Sequence, residues 1–331
     1  MAGELLAAYL DDWAGTDAQR RDVAATVMAL TDACRAISVL VAQGNLEQNL
    51  GAAVTENVQG ETQKALDDLT DRMLIEACRK APVAAVASEE DEHPVPGNPQ
   101  GASLLVAFDP LDGSSNIDIN VSIGTIFSVL PVKPGADPVS VEAFLQPGRN
   151  QLAAGYVLYG PQTTLVMTVG AGAVCFTLDR RRDAFVLTHD RLEVPHATKE
   201  FAINMANQRH WPKPVQRYID ECLKGAEGGR GENTNMRWVA SLVADCNRVL
   251  IRGGVYLYPG DARPGYAEGR IRVLYEASPI AFVVEQAGGE AVTGAGEKIM
   301  DIVPARLHQR ASLIFGSRDE IARIEEHHAA A

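Results

Sequence analysis

The sequence has no excess of positive charge, no zinc-type cysteine spacing, no leader-like N-terminus and no internal repeat. Each absence removes a class of function. Lysine and arginine number 30 against 43 aspartates and glutamates, a formal net charge of −13. Nucleic acid attracts basic surfaces, so no nucleic-acid partner is expected. The same charge disfavours anionic metabolites, unless divalent metals reverse the local sign. The five cysteines (Cys34, Cys78, Cys175, Cys222, Cys246) are widely spread and form no C-x-x-C. Reduced, buried thiols are therefore expected rather than zinc or redox chemistry. The seven histidines show no H-E-x-x-H or other ligand spacing. MAGELLAAYLDDWAG is acidic where a signal peptide is basic, and no apolar run reads as long enough to span a bilayer. The expectation is a cytoplasmic protein with no membrane partner.

What is present is ordinary globular composition: 331 residues, 46% of them hydrophobic and 22% charged. That length suits one large domain or two smaller ones. Val23, Val27, Leu30, Cys34, Ile37 and Val41 recur at alternating steps of 4 and 3, one apolar stripe on a long helix. Thr16 or Asp17 can cap its start and Gly44 its end. A second helix fits 61–80, with Leu66, Leu69, Met73 and Ala77 inward. The run VAAVAS (83–88) reads as a strand ending in Glu89, Glu90, Asp91 and Glu92. SLLVAF (103–108) reads as a buried strand, INVSIGTIFSVL (119–130) as a long strand, and 152–189 as an antiparallel meander of four. Arg180, Arg181 and Arg182 fall in a solvated turn of that meander. Beyond Pro195 the pattern changes. Helices fit 212–224, 236–250 and 278–287, strands fit 255–259 and 312–317, and EEHHAAA reads as a fraying end. A domain boundary near 195 divides the chain into 1–195, with most of the candidate ligands, and 196–331.

The chemistry concentrates at strand ends. FDPLDGSSNID (108–118) holds Asp109 and Asp112 three residues apart around Pro110 and Leu111. Pro110 fixes φ, so the two carboxylates keep their separation. The Leu111 carbonyl offers a further hard oxygen, and Gly113 lets backbone approach a ligand closely. The backbone N–H groups that follow, with Ser114 and Ser115, can cradle a phosphate. Glu89, Glu90 and Glu276 end or follow other predicted strands, and Glu61 and Asp67 open the second helix. Each piece has a plain structural use: D-P-x-D-G is a good turn, SEEDE a solvated loop, Glu276 a partner for a helix dipole. Together they form an oxygen-only donor set, which suits Mg²⁺ or Mn²⁺ and metal-assisted phosphoryl transfer.

These residues also resemble a known family. FDPLDGSSNID is similar to the signature of class I fructose-1,6-bisphosphatases, within the lithium-sensitive phosphatase superfamily. TENVQGE (55–61), SEEDE (88–92), VSIGTIFSV (121–129), LVAD (242–245), GGVYLYP (253–259) and LYEASPIAFVVEQAGG (274–289) resemble that family in order. The resemblance implies an α/β fold, a layered α-β-α-β-α sandwich, assembled as a homotetramer. It implies Mg²⁺-dependent hydrolysis of the 1-phosphate of fructose 1,6-bisphosphate, as in gluconeogenesis or the Calvin cycle, with sedoheptulose 1,7-bisphosphate as a second substrate. By similarity, Glu89, Glu90, Asp109, the Leu111 carbonyl, Asp112 and Glu276 match metal-site residues. Asp112, Gly113, Ser114 and Ser115 match the 1-phosphate site. Asn204, Arg237, Tyr258, Arg270 and Arg272 match sugar and phosphate contacts, with Arg237 crossing to a neighbouring subunit. Glu90, Asp67 and Glu61 match residues that orient or deprotonate the attacking water. Asn207 and Trp238 stand where the animal enzymes have tyrosines, and Arg270 replaces a lysine. The glycine and threonines that hold AMP in many members fall on Arg20–Ala24, and the Lys-Tyr pair on Ser103 and Leu104. Two other readings compete. An inositol-phosphate phosphatase expects D-P-I-D-G-T and W-D-x-A, where this chain has Leu111, Ser114 and no W-D pair. A non-catalytic sugar-phosphate sensor would be expected to lose metal ligands.

Overall fold

Alternating apolar strands and apolar-striped helices can bury both faces of a sheet only by stacking in layers. The computed structural model describes residues 3–46, 53–56, 62–98 and 102–329. Its larger sheet contains β1 (Val83–Ser88), β2 (Val95–Pro96), β3 (Leu104–Asp112), β4 (Ile123–Pro131), β5 (Ala153–Tyr159), β6 (Thr163–Thr168), β7 (Ala173–Asp179) and β8 (Ala184–His189). They lie in the order β8-β7-β6-β5-β4-β3-β1-β2. Pairing is antiparallel except between β1 and β3, which run parallel. The second sheet contains β9 (Glu200–Ala202), β10 (Asn235–Met236), β11 (Val255–Tyr258), β12 (Glu290–Val292) and β13 (Leu313–Gly316) in the order β10-β9-β11-β13-β12. Among the described residues, the helices of nine residues or more are α1 (Leu6–Ala14), α2 (Ala18–Gln43), α3 (Ala65–Cys78), α4 (Lys213–Lys224), α5 (Leu242–Arg252), α6 (Ser278–Gln286) and α7 (Arg318–Ala329).

Among the described residues, the three larger cores join these layers. α1, α2 and α3 cover one face of the large sheet through Leu10, Val27, Leu30, Leu74, Phe108 and Phe127. Its other face, with Ile126, Tyr156 and Val166, packs on α5 and α6 and through them on Tyr256 and Phe315. The outer face of the second sheet meets α4 and α7 through Val255, Ile314, Val215, Tyr218 and Ile321. The result is the expected α-β-α-β-α sandwich.

Asp17 caps α2 by accepting a hydrogen bond from the Arg20 N–H, and Gly44 ends the helix at φ 54°. By length and composition α2 could cross a membrane, against the sequence-based expectation. Half of its apolar stretch is buried inside the fold, as in a core helix. All five cysteines are buried and free, as expected.

Other expectations shift. The second helix begins at Ala65, after a short strand over Thr62–Lys64 that pairs with Ala53–Glu56. Its buried face carries Leu66, Asp67, Thr70, Asp71, Leu74 and Cys78, whereas Leu69, Met73 and Ala77 are only half-buried. Counting apolar residues misplaced the face because two carboxylates sit on the buried side. The strand expected from 119 starts at Ile123, since 114–116 form a 3-10 turn and Asn120 is left-handed at φ 59°. The helix expected from 236 starts at Leu242, because 235–236 pair as a strand and Ala240 sits at φ 65°. The C-terminus does not fray before Ala329: α7 buries Ile321 and Ile324, and His327 Nε2 lies 2.9 Å from Glu221 Oε2.

Candidate active site

In a regular strand, residues three apart point to opposite faces. Asp109 and Asp112 do not, because β3 is bulged. Asp109 pairs with Ile126 and Asp112 with Gly124, so three steps on β3 oppose two on β4. The Leu111 N–H donates to Asp109 Oδ1 (2.9 Å), and Thr125 Oγ1 donates to the Pro110 carbonyl (2.9 Å). Gly113 then turns the chain at φ 82°, a left-handed conformation that glycine adopts freely.

Glu276 arrives from the other half of the chain, on a π-helical turn (Val273–Ala277) that leads into α6. Such turns place side chains out of regular register and recur at functional sites. Carboxylate oxygens of Asp109, Asp112 and Glu276 lie within 4.8 Å of one another, and all three residues are buried. Three buried like charges strain the ionised state. Burial first, then the Glu89, Asp112 and Glu276 charges, holds the Asp109 carboxyl well above the usual range. Burial and then Glu276 push Asp112 up to about 7, against the stabilising hydrogen bonds from Val243 N and Ser241 Oγ. An all-oxygen, charge-strained cluster is the chemistry of a hard divalent cation site, so these residues fit such a metal.

A cavity of about 660 Å³ opens onto the cluster. Every candidate site residue lines it except Asp67, Arg237 and Glu61. Asp67 is buried on α3, and Glu61 lies outside the described residues. Arg237 is exposed, with its Nη1 donating to the Met236 carbonyl (3.0 Å). The Arg272 guanidinium, expected on sugar or phosphate, lies against carboxylates: Nη2 is 2.5 Å from Glu89 Oε1, and Nη1 is 3.7 Å from Glu276 Oε2. Its backbone N–H also donates to Glu276 Oε2 (2.6 Å). Asn204 Oδ1 accepts from the Ala206 N–H at 3.2 Å, which orients the amide in the cavity wall. Asn207 does not line the cavity, whereas Trp238 does and stacks on Tyr256 (5.5 Å between centroids, 14° between planes).

Several contributors escaped the sequence reading. Asp118 and Tyr256 line the cavity too. Asp245 is buried and accepts the N–H groups of Val239 (3.0 Å) and Ala240 (3.2 Å), pinning the loop that carries Trp238. Asn116 Nδ2 holds the same loop through the Ala240 carbonyl (2.9 Å). Ser88 Oγ donates to Asp71 Oδ1 (2.5 Å) and accepts from the Glu90 N–H (3.2 Å), so α3 braces the Glu89–Glu90 turn. LVAD and SEED carried a motif signal for Asp245 and Ser88. Asp71 carried none, since a helix face rich in Asp reads as solvated.

Known proteins resemble this chain along nearly its whole length. Residues 10–190 match the family model described as "Fructose-1-6-bisphosphatase, N-terminal domain", and 194–329 the corresponding C-terminal domain. A curated relative from Azorhizobium caulinodans, "Fructose-1,6-bisphosphatase class 1", is 52% identical over 330 residues, covering 99% of this chain and 100% of the relative. One from Xanthobacter autotrophicus, "Fructose-1,6-bisphosphatase class 1 1", is 53% identical, covering 98% of this chain and 87% of the relative. The crystal structure of Leishmania major fructose-1,6-bisphosphatase in holo form superposes with a TM-score of 0.92 at 32% identity, over 99% of this chain and 100% of that one. With both halves matched and relatives aligned along nearly the whole length, the chain belongs to the class 1 fructose-1,6-bisphosphatase family.

Proposed function

We propose that this chain hydrolyses the 1-phosphate of D-fructose 1,6-bisphosphate, yielding fructose 6-phosphate and phosphate, with Mg²⁺ as cofactor. The observation that carries this reading is the convergence of Asp109, Asp112 and Glu276 in a cavity that Asn204, Tyr258 and Arg270 also line. Glu89, Glu90, Asp109, the Leu111 carbonyl, Asp112 and Glu276 would hold the metal. When bound, the cation supplies charge neutralisation for the phosphate and acidifies water. The chain's own groups do the rest. Backbone N–H groups of 113–115 and the Ser114 and Ser115 hydroxyls orient the 1-phosphate. Glu90, braced through Ser88, takes the proton of the attacking water, with Asp67 and Glu61 assisting. Arg270, Asn204 and Tyr258 receive the 6-phosphate and the sugar. Arg272, seated on Glu89 and Glu276, offsets part of the carboxylate charge and keeps those side chains in place. Residues 1–195 and 196–331 act as two domains, a division supported by family models that meet between 190 and 194. Phosphate release measured over fructose, sedoheptulose and inositol phosphates tests the reading. Turnover should be greatest on the fructose bisphosphate and absent on inositol monophosphate.

The active assembly is a homotetramer in which Arg237 serves a neighbouring subunit. Supporting this, Arg237 is exposed, lies outside its own chain's cavity and is flanked by the exposed apolar residues Met236 and Val239. Arg237→Ala should raise KM more than it lowers kcat, because the 6-phosphate stays bound but unreacted. Mixed with Asp112→Asn subunits, it should recover activity at hybrid sites that combine an intact Asp112 with an intact Arg237 from the neighbour. Hybrid activity no higher than that of the parents would place Arg237 within its own site.

AMP should not inhibit this enzyme. The start of α2, where a nucleotide phosphate would need free N–H groups, is already capped by the Asp17 carboxylate. Ser103 donates to Asp22 Oδ2 (3.0 Å), so the other expected contact offers an anion rather than a cation. An AMP titration at saturating Mg²⁺ checks this; strong inhibition unrelieved by substrate would contradict it.

A further inference from the structure

The loop between β11 and the short strand Ile271–Arg272 carries an arrangement that the proposed function leaves unexplained. Tyr266 lies against two guanidinium groups: Arg263 Cζ is 4.2 Å and Arg270 Cζ 4.8 Å from its ring centroid. Two cations on one ring would repel, but one of them is neutralised locally. Arg263 Nε lies 3.0 Å from Asp261 Oδ1 and its Nη2 2.5 Å from Asp261 Oδ2. Asp261 is buried, and its carboxyl also accepts the Arg263 N–H (2.9 Å). The other guanidinium, that of Arg270, lines the cavity.

The loop is folded upon itself, so the ring has a defined place. The Tyr266 carbonyl accepts the N–H groups of Asp261 (3.0 Å) and Gly269 (2.9 Å), and the Tyr266 N–H donates to the Arg263 carbonyl (3.1 Å). Gly269 sits at φ 94° with no room for a side chain: a Cβ there would lie 2.4 Å from the Ala311 carbonyl oxygen. A guanidinium on a ring face keeps its N–H donors in the plane, directed outward, whereas an ammonium has no such plane.

We infer that Tyr266 is a positioning residue: stacked on Arg270, it fixes that guanidinium for the phosphate remote from the reacting end of a sugar bisphosphate. This rests on the proposed bisphosphatase activity. It makes residues 259–270 a recognition element for the second phosphate, with Asp261 and Arg263 as its anchor. Tyr266 touches Arg270 rather than the reacting atoms, so its removal should alter recognition and leave the chemical step alone.

The test compares steady-state kinetics on fructose 1,6-bisphosphate and on fructose 1-phosphate, which lacks the distal phosphate. Tyr266→Ala should raise KM for the bisphosphate about 5-fold with kcat changed by less than about 2-fold. Its kcat/KM on fructose 1-phosphate should not move. Tyr266→Phe, which keeps the ring, should behave as wild type. Tyr266→Leu, which keeps bulk without a π face, should behave as Tyr266→Ala and serves if the alanine variant folds poorly. Arg270→Ala with Tyr266→Ala should be no worse than Arg270→Ala alone, because the two act as one unit. If Arg270→Ala raises KM and the Tyr266 variants do not, the positioning role is overturned while the activity stands. Equal losses on both substrates would show a merely structural role and overturn it as well. A wild-type protein that hydrolyses neither sugar phosphate would instead bring down the underlying reading, and this inference with it.

Discussion

Replacing Asp112 by asparagine should lower kcat by roughly 10³-fold, on the order of 4 kcal/mol of transition-state stabilisation, without loss of fold. Asp112 is where the two halves of the chain meet. It ends the bulged strand β3, its carboxylate lies within 4.8 Å of those of Asp109 and Glu276, and Oδ2 accepts the Val243 N–H at the start of α5 (3.0 Å). Asparagine keeps the shape and can keep that hydrogen bond, but it removes one of the charges that attract a divalent cation. The same change relieves repulsion among buried carboxylates, so the metal-free variant should be at least as stable as wild type. This separates lost chemistry from lost structure. A chelator should abolish wild-type turnover, and excess Mg²⁺ should restore it. Near-wild-type turnover by Asp112→Asn, or full wild-type activity in EDTA, would be incompatible with the proposed site.

The metal-free protein should lose stability as the pH rises from about 4 to about 7, the reverse of ordinary acid unfolding. Burial holds Asp71 at about 7 and Asp245 at about 6, and burial with the Glu276 charge holds Asp112 at about 7. In the unfolded chain each titrates near the ordinary value of about 3.9. Between these limits the native state binds protons that the unfolded state has released. The stabilisation is complete below the unfolded value and is lost as the pH passes through the native one. A rise of roughly 3 units, as for Asp71 and Asp112, corresponds to about 4 kcal/mol per group. Below about pH 4 the sign reverses, because the hydrogen bonds of Arg263 hold Asp261 beneath the usual carboxylate range and its protonation costs stability. Thermal unfolding in EDTA should therefore show a Tm maximum between about pH 4 and 5 and a fall of several degrees by about pH 7.5. Saturating Mg²⁺ should remove the share due to Asp112 and leave that of Asp71 and Asp245. A Tm in EDTA that stays flat from pH 5 to 7.5 would refute the assignment.

Much of this molecule was legible in one dimension. The 4-3-4-3 stripe from Val23 to Val41 marks α2, and Asp17 and Gly44 end it as a carboxylate cap and a left-handed glycine do. VAAVAS is β1 residue for residue, and all four strands of the meander are present. These elements depend on neighbours within a few positions, so local pattern suffices. The strands of two or three residues, such as β9, β10 and β12, carry too few side chains to show a period. The register of α3 was misread because its buried face includes Asp67 and Asp71, placed there by a site rather than by hydrophobicity.

For function, the sequence alone determined the kinds of group available: carboxylates at strand ends, an all-oxygen donor set, and a glycine-serine turn able to hold phosphate. Spacing along the chain could not determine which of them meet; only the family resemblance grouped Asp109, Asp112 and Glu276 into one site. The bulge that turns Asp109 and Asp112 to one side exists only through pairing with β4, and Glu276 reaches them across the interface of the two halves. Tertiary structure alone seated Arg272 on Glu89 and Glu276 and brought Tyr266 against Arg270. Spacing along the chain records short-range geometry. Contacts between residues far apart in sequence follow from how whole layers pack, and that information is spread over every buried side chain in the cores.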